Sequence, residues 1–282
     1  MKLAMFEKDG RIGLAAGDGK VFNGLTEADS GYPGDLDRLM ASGADLAAVG
    51  KALQSAPAVD LAKVRLLPPL RKPGKIVCVG VNYKDHAEES GHSPTALYPE
   101  IFARFASSLI GAGAPIIKPA ASDQVDYEGE LVVVIGKAGR NVPKSKALEH
   151  VAAYSVFNDV SIRDFQMRVT QWVMGKNFDD SGPFGPWLTT ADELPPGAAG
   201  LRLTTRLNGQ VLQDANTKDL IFDVATLIEF LTQGMTLNPG DIIITGTPGG
   251  VGVSRKPQVF MKAGDRCEIE IEGVGLLSNP VA

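Results

Sequence analysis

Cysteine is nearly absent from this chain: two in 282 residues, Cys78 and Cys267, with no paired-cysteine spacing. That excludes a disulfide framework and a cysteine zinc site, and it fits a reducing compartment. No apolar run approaches the length of a membrane span, and the opening Met1-Lys2-Leu3-Ala4-Met5-Phe6-Glu7-Lys8 meets charge before a signal-peptide core forms. The expectation is a cytoplasmic protein with no membrane partner. Basic residues are the minority, 28 against 33 acidic, and a net charge of −5 argues against nucleic acid or an anionic surface as partner. Long repeats and low-complexity tracts are missing too. What is present is an ordinary globular composition, 44% hydrophobic and 22% charged, long enough for one large domain or two smaller ones.

The chain is organised around Asp126-Tyr127-Glu128-Gly129-Glu130-Leu131-Val132-Val133-Val134-Ile135-Gly136. Two acids one residue apart stand before a β-branched apolar run that a glycine ends, which predicts a strand opened by Glu128 and Glu130. Side chains at i and i+2 share a strand face at roughly 6.6–7 Å, so the two carboxylates can converge on one ion. Carboxylates that close repel unless a cation lies between them, and a hard divalent metal is the direct reading. The motif alone equally admits two solvated acids at an exposed strand start. Upstream, His86 and Glu89 fall three apart in Asn82-Tyr83-Lys84-Asp85-His86-Ala87-Glu88-Glu89-Ser90-Gly91, a short helix that Gly91 stops. On one helix face they form either a general-base pair or an exposed ion pair.

Taken in order, residues 1 to about 25 read as strands turned at Asp9-Gly10 and Asp18-Gly19. Asp35 to Leu53 reads as helix, and Val64 to Leu70 with Arg71-Lys72-Pro73-Gly74 as a linker. Ile76 to Val81 is a buried-strand pattern, Ser145 to Ala152 helical, Tyr154 to Asn158 strand, and Ser161 to Trp172 a second helix. Ser181 to Trp187 is too rich in glycine and proline for regular structure. Leu201 to Gln213 is a hairpin on Asn208-Gly209, and a helix follows from Phe222 to Leu231 with Gly234 as its stop. Two turn-plus-strand units, Asn238 to Ile244 and Lys262 to Ile271, close the chain. The fold class expected is α+β and β-rich: a small N-terminal α+β domain over residues 1–70, then a mixed β-roll or sandwich over 71–282 rather than a doubly wound sheet. Trp172 and Trp187 read as core, His92 as part of the helix-bearing segment, and His150 as a helix-surface residue.

Five stretches in order resemble the fumarylacetoacetate hydrolase superfamily of metal-dependent C–C bond hydrolases: Val79-Gly80-Val81-Asn82-Tyr83-Lys84-Asp85-His86, Asp126-Tyr127-Glu128-Gly129-Glu130, Asn158-Asp159-Val160-Ser161-Ile162-Arg163-Asp164, Gly175-Lys176-Asn177-Phe178-Asp179 and Thr245-Gly246-Thr247-Pro248-Gly249-Gly250-Val251-Gly252. They span most of Lys75 to Ala282. The resemblance implies a catalytic domain over 71–282 and a metal held by Glu128, Glu130 and Asp159. Three carboxylates without His or Cys suit Mg²⁺ or Mn²⁺. It also implies that His86 and Glu89 are a catalytic pair on a segment that in relatives behaves as a mobile lid, that Lys176 is the family's lysine, and that Thr247 lies beside the substrate carboxylate. Arg104 sits where many relatives place lysine, to pair with substrate or with a ligating carboxylate. Tyr83 and Gln166 are further candidates to hydrogen-bond substrate, and Arg163 braces the acidic cluster.

The activity implied is cleavage of a 2,4-dioxo acid, either an acylpyruvate or a 2,4-diketo-3-deoxy sugar acid, to pyruvate and a carboxylic acid. His86 would activate water for attack at C4, and Lys176 would stabilise the oxyanion or protonate the enolate. Arg104 and Gln166 lean the acyl half toward a hydroxylated one. Decarboxylases and enol–keto tautomerases or isomerases share the metal site. A non-catalytic β-roll with a structural Ca²⁺ is the reading of another class. Family members are commonly homodimers, and a small 2-keto acid is the partner expected.

Overall fold

The computed structural model describes residues 1–282. Strands β1 (Lys2–Lys8), β2 (Arg11–Gly17) and β3 (Phe22–Thr26) form a meander. The turn at Asp9-Gly10 is possible because both residues take left-handed φ, +52° and +74°. Where one helix is predicted over Asp35–Leu53, two form: α1 (Leu36–Ala41) and α2 (Leu46–Leu53). Gly43 at φ +70° turns the chain between them, and Asp45 caps α2 by accepting from the N–H groups of Ala47 and Ala48. The Val64–Leu70 connector holds a short strand, β4 (Arg65–Leu66), antiparallel to β1.

The next strand, β5 (Ile76–Gly80), leads into helix α3 (Lys84–Glu89), which ends before Gly91 as its sequence predicts. After β6 (Glu100–Ala103), β7 (Leu109–Ile110) and β8 (Val125–Asp126) come the central strands β9 (Gly129–Ile135) and β10 (Val151–Asn158). Every residue of β9 is buried, which explains why it reads as a continuous apolar run rather than an alternation. The helical pattern over Ser145–Ala152 resolves into a 3-10 helix at Lys144–His150, and the β-branched Val151 already belongs to β10.

The helix expected over Ser161–Trp172 is also corrected. Ser161 and Ile162 form β11 (Ser161–Ile162) against β8, and only α4 (Arg163–Gln166) and α5 (Val173–Lys176) are helical. Met167 and Val169, two apolar residues of that stretch, are exposed, so no core stabilises a longer helix there. The Gly/Pro-rich Ser181–Trp187 is strand after all, inside β12 (Gly182–Thr190). A register shift between Tyr154 and Val156 of β10 accommodates it, and the Ser155 hydroxyl donates to the carbonyls of Gly185 and Trp187 at 3.2 and 2.6 Å.

The hairpin of β13 (Arg202–Leu207) and β14 (Gln210–Asn216) turns on Asn208-Gly209 as predicted. Helix α6 (Val224–Gly234) begins after its cap Asp223, and β15 (Ile242–Ile244), β16 (Arg266–Ile271) and β17 (Gly275–Pro280) complete the chain. The main sheet runs β3-β2-β1-β12-β10-β9-β15-β5-β6, and a second sheet runs β14-β13-β16-β17. Period-2 alternation in the central strands feeds two cores. Leu131, Val133, Ile135 and Ile243 face the second sheet and α6, whereas Val132, Val134, Ile242 and Ile244 face α1 and α2. The fold is a strand-rich α+β arrangement, and no helix is long and apolar enough to cross a membrane.

Candidate active site and metal centre

The site grows from the paired ends of β9 and β10. Glu128 stands just before β9; its N–H donates to Asn158 Oδ1 at 3.0 Å, and its carbonyl accepts from Asp159 N at 2.8 Å. These bonds lock the end of β10 beside the start of β9, so that carboxylate oxygens of Glu128, Glu130 and Asp159 lie within 4.8 Å of one another. All three side chains are buried. Cations are built around them. Lys176 Nζ donates to Glu128 Oε2 at 2.6 Å and to Asp159 Oδ2 at 2.5 Å. Arg163 Nη2 stands 2.7 Å from Glu128 Oε1, and its Nε donates to Asp126 Oδ2 at 2.8 Å.

Burial opposes the Glu128 charge, but Lys176 and Arg163 outweigh it and hold its pKa below the usual carboxylate range. Burial likewise opposes the Lys176 charge, and Asp159 and Glu128 restore it and raise the pKa. Glu130 is different. Burial and the neighbouring charges of Asp159 and Glu128 push its pKa well up, with Gly246 N–H among the few groups favouring ionisation. One buried carboxylate of the three therefore lacks a cationic partner of its own. Three hard oxygen donors with that deficit fit a divalent cation of the Mg²⁺ or Mn²⁺ kind.

His86 and Glu89 lie on α3 with Nδ1 and Oε1 at 2.8 Å. The other Glu89 oxygen accepts from Gly250 N at 2.9 Å, tying the helix to the loop after β15. This pair, the three acids and Lys176 line one cavity of about 280 Å³, together with Gln166 and Thr247. The Thr247 hydroxyl donates to Gly129 O and accepts from Gln213 Nε2, so contact with a substrate carboxylate calls for it to swing away from Gly129.

Two candidates lie elsewhere. Arg104 does not line the cavity; its guanidinium is fully buried behind the cluster, paired with Asp159 Oδ1 and donating to Val160 O at 3.2 Å and Ser181 Oγ at 2.8 Å. Of the two partners expected for it, substrate or an acid of the cluster, the structure shows the acid, Asp159. Tyr83 is also absent from the lining, fully buried with an unpartnered hydroxyl. Conversely, Trp172 belongs to the cavity and not to the core.

Two further residues had no recognised role in the sequence. Asp126 accepts from the backbone N–H groups of Tyr127, Gly252 and Val253 besides Arg163, joining the acidic strand to the loop over 250–253. Its place two residues before Glu128 was the available signal. Gln213 accepts from Gly129 N at 3.0 Å and donates to Thr247, and nothing in a β-hairpin position marks it out.

The fumarylacetoacetate hydrolase C-terminal family model matches residues 75–282. The chain belongs to this family. A human relative, the mitochondrial oxaloacetate tautomerase FAHD2A, is 41% identical over 274 residues, 96% of this chain and 87% of that protein. Fumarylacetoacetate hydrolase from Exiguobacterium antarcticum superposes with a TM-score of 0.86 at 36% identity, covering 100% of this chain and 99% of the other. Maleylpyruvate hydrolase from Sphingobium sp. SYK-6, solved with manganese(II) and pyruvate, gives 0.81 at 33% identity, covering 100% and 99%. The fumarylacetoacetate hydrolase family thus brings together hydrolases and tautomerases on one fold, and this chain is an enzyme-family member with a candidate divalent-metal centre.

Proposed function

We propose that this chain is a divalent-metal-dependent enzyme that moves a proton at C3 of a 2-oxo acid, interconverting its enol and keto forms. The observation that carries the reading is the convergence on one cavity of three buried carboxylates within 4.8 Å and an oriented imidazole. The tautomerase relative, matching nearly the whole chain, supports tautomerisation ahead of hydrolysis. Glu128, Glu130 and Asp159 would hold the cation, which when bound supplies Lewis-acid polarisation of the 2-oxo group and so acidifies C3. His86 has Nδ1 engaged by Glu89, leaving Nε2 to take the C3 proton. Glu89, fixed from its other side by Gly250 N–H, stabilises the imidazolium that results. Lys176, kept protonated by its acidic neighbours, sets positive charge beside the enolate oxygen. Proton return to that oxygen completes the enol.

Hydrolysis of a 2,4-dioxo acid to pyruvate and a carboxylic acid is the second reading. It is favoured by the same His86–Glu89 pair, which suits water activation, and by the likeness to a maleylpyruvate hydrolase. The two separate in one experiment with Mg²⁺ or Mn²⁺ present: enol absorbance is followed for oxaloacetate and arylpyruvates, and pyruvate release for acylpyruvates. Accelerated enol loss without pyruvate supports the first reading, and pyruvate release the second. Silence on every compound with both metals overturns both. A homodimer and a cytoplasmic address complete the reading; light scattering and cell fractionation check them.

A further inference from the structure

The cavity is lined by two unlike sets of residues: the ionic groups described above, here its floor, and the apolar Val81, Phe102, Met167 and Trp172, here its wall. Trp172 can lie against the end of β5 because residue 80 is glycine: a Cβ there would stand 2.3 Å from Trp172 Cζ3. The Trp172 ring meets Phe102 edge-on, with centroids 5.5 Å apart and planes at 70°. Val81 holds a left-handed φ of +51°, a conformation that costs a β-branched residue free energy and persists only when its surroundings impose it. Asn82 imposes it, donating to Thr245 O at 2.7 Å and Phe222 O at 3.0 Å and accepting from Phe222 N at 2.7 Å. The wall is therefore an apolar surface fixed at its Val81 end, and it adjoins the ionic floor where Lys176 Nζ lies 5.2 Å from the Phe102 centroid.

The charges decide what this wall can receive. Lys176 and Arg163 are each engaged by floor carboxylates, and His86 by Glu89. Of the cavity's basic groups only His92 lacks an acidic partner, and it is exposed, with Nδ1 3.1 Å from Ser90 Oγ. A second substrate carboxylate pressed against Phe102 and Trp172 would lose its hydration, and the cation nearest that surface, Lys176 Nζ at 5.2 Å from the Phe102 centroid, is already shared between Glu128 and Asp159.

We propose that Val81, Phe102, Met167 and Trp172 form a subsite for an aromatic or branched aliphatic substituent on the 2-oxo acid, with Phe102 and Trp172 setting specificity. This rests on the 2-oxo acid reading of the floor. It replaces the hydroxylated acyl half expected from the sequence: of the two residues on which that expectation leaned, Arg104 lies behind Asp159, and Gln166, though in the cavity, has its side-chain oxygen engaged by Arg163. It also separates the preferred substrate of this chain from oxaloacetate, whose far end is a carboxylate.

Calorimetric titration of the Mn²⁺-loaded full chain with three unreactive 2-oxo acid analogues tests it: oxamate, N-phenyloxamate and N-oxalylglycine. N-phenyloxamate is expected to bind at least about 10-fold more tightly than oxamate, from burial of its ring on the wall. N-oxalylglycine, with its second carboxylate, gains nothing. Trp172→Ala brings the phenyl-to-parent ratio toward one, and Phe102→Leu, a milder change, lowers it in the same direction. A purely structural role would weaken both ligands together and leave the ratio where it was, which would overturn the assignment. So would a wild-type ratio of one, or tighter binding of N-oxalylglycine. If none of the three binds, the 2-oxo acid reading itself falls and the subsite falls with it.

Discussion

Glu130 is the residue on which the candidate metal centre turns, because its carboxylate is buried beside two others and has no basic side chain of its own. Its raised pKa keeps the acid form in the metal-free protein above the ordinary carboxylate range. The stability this contributes is present below the unfolded value and is lost as pH rises through the folded one. A cation demands the ionised form, so binding should release a proton and strengthen with rising pH across that window. Mn²⁺ titrations in buffers of different ionisation enthalpy would show it as a buffer-dependent heat. Glu130→Gln, which cannot ionise, should lower metal affinity by more than about 100-fold while the metal-free protein melts no earlier than wild type. An unchanged affinity would remove Glu130 from the ligand set. His86→Ala should leave the metal affinity nearly untouched and slow turnover by roughly 10²–10⁴-fold, the usual cost of losing a general base. The E-x-E pattern and the His–Glu spacing made these residues legible; helix periodicity pairs His86 with Glu89, whereas Glu128 stands before β9 and is held beside Glu130 by its bonds to Asn158 and Asp159. Arg104 was legible only as a choice between substrate and an acid of the cluster, and Trp172 was misread as core: which way a long side chain leaves its strand or turn is decided by partners distant in sequence, Asp159 and Ser181 for one and Gly80 for the other.

At the scale of elements, the loop after β15 joins the parts of the site. Gly250 N–H holds Glu89, Gly252 and Val253 N–H hold Asp126, and Thr247 meets Gln213. Gly246 makes the loop's close approach possible; it sits at φ +102°, and a Cβ there would stand 2.7 Å from Asn82 Cβ and 3.0 Å from Val79 O. Gly246→Ala should therefore destabilise the fold by about 1–3 kcal/mol, read as a lower denaturant midpoint, and turnover should fall with it. A midpoint equal to wild type would mean the loop relaxes freely. Elements were legible where local signals agree, as in the Asn208-Gly209 hairpin and the β9 run. They were misread where tertiary partners prevail. Ser161 and Ile162 follow an apolar pattern compatible with helix, yet β8 recruits them as strand, and β10 draws the Gly/Pro-rich β12 into the sheet through a bulge.

For the whole molecule, the decisive fact is that β1 pairs with β12, Leu3 opposite Leu188, so that residues 1–26 extend the sheet that carries the site. Deleting residues 1–70 would leave β12 with an open edge and uncover Phe184 and Leu188, both fully buried. The shortened chain should show no cooperative melt, or aggregate, whereas the full chain melts as one unit in calorimetry. A truncated chain that melts sharply and binds Mn²⁺ would establish the segment over 71–282 as independent. By itself the sequence determined the strand-rich class, through composition and periodicity, and the family, through five motifs in order; it also proposed the three acids and the His–Glu pair, which the fold brings to one cavity. Only the tertiary structure decided that Arg104 pairs with Asp159 of the acid cluster, that Phe102 and Trp172 line the cavity, and that the first strands complete the main sheet. Each of those depends on contacts between residues far apart along the chain, where no local pattern encodes the partner.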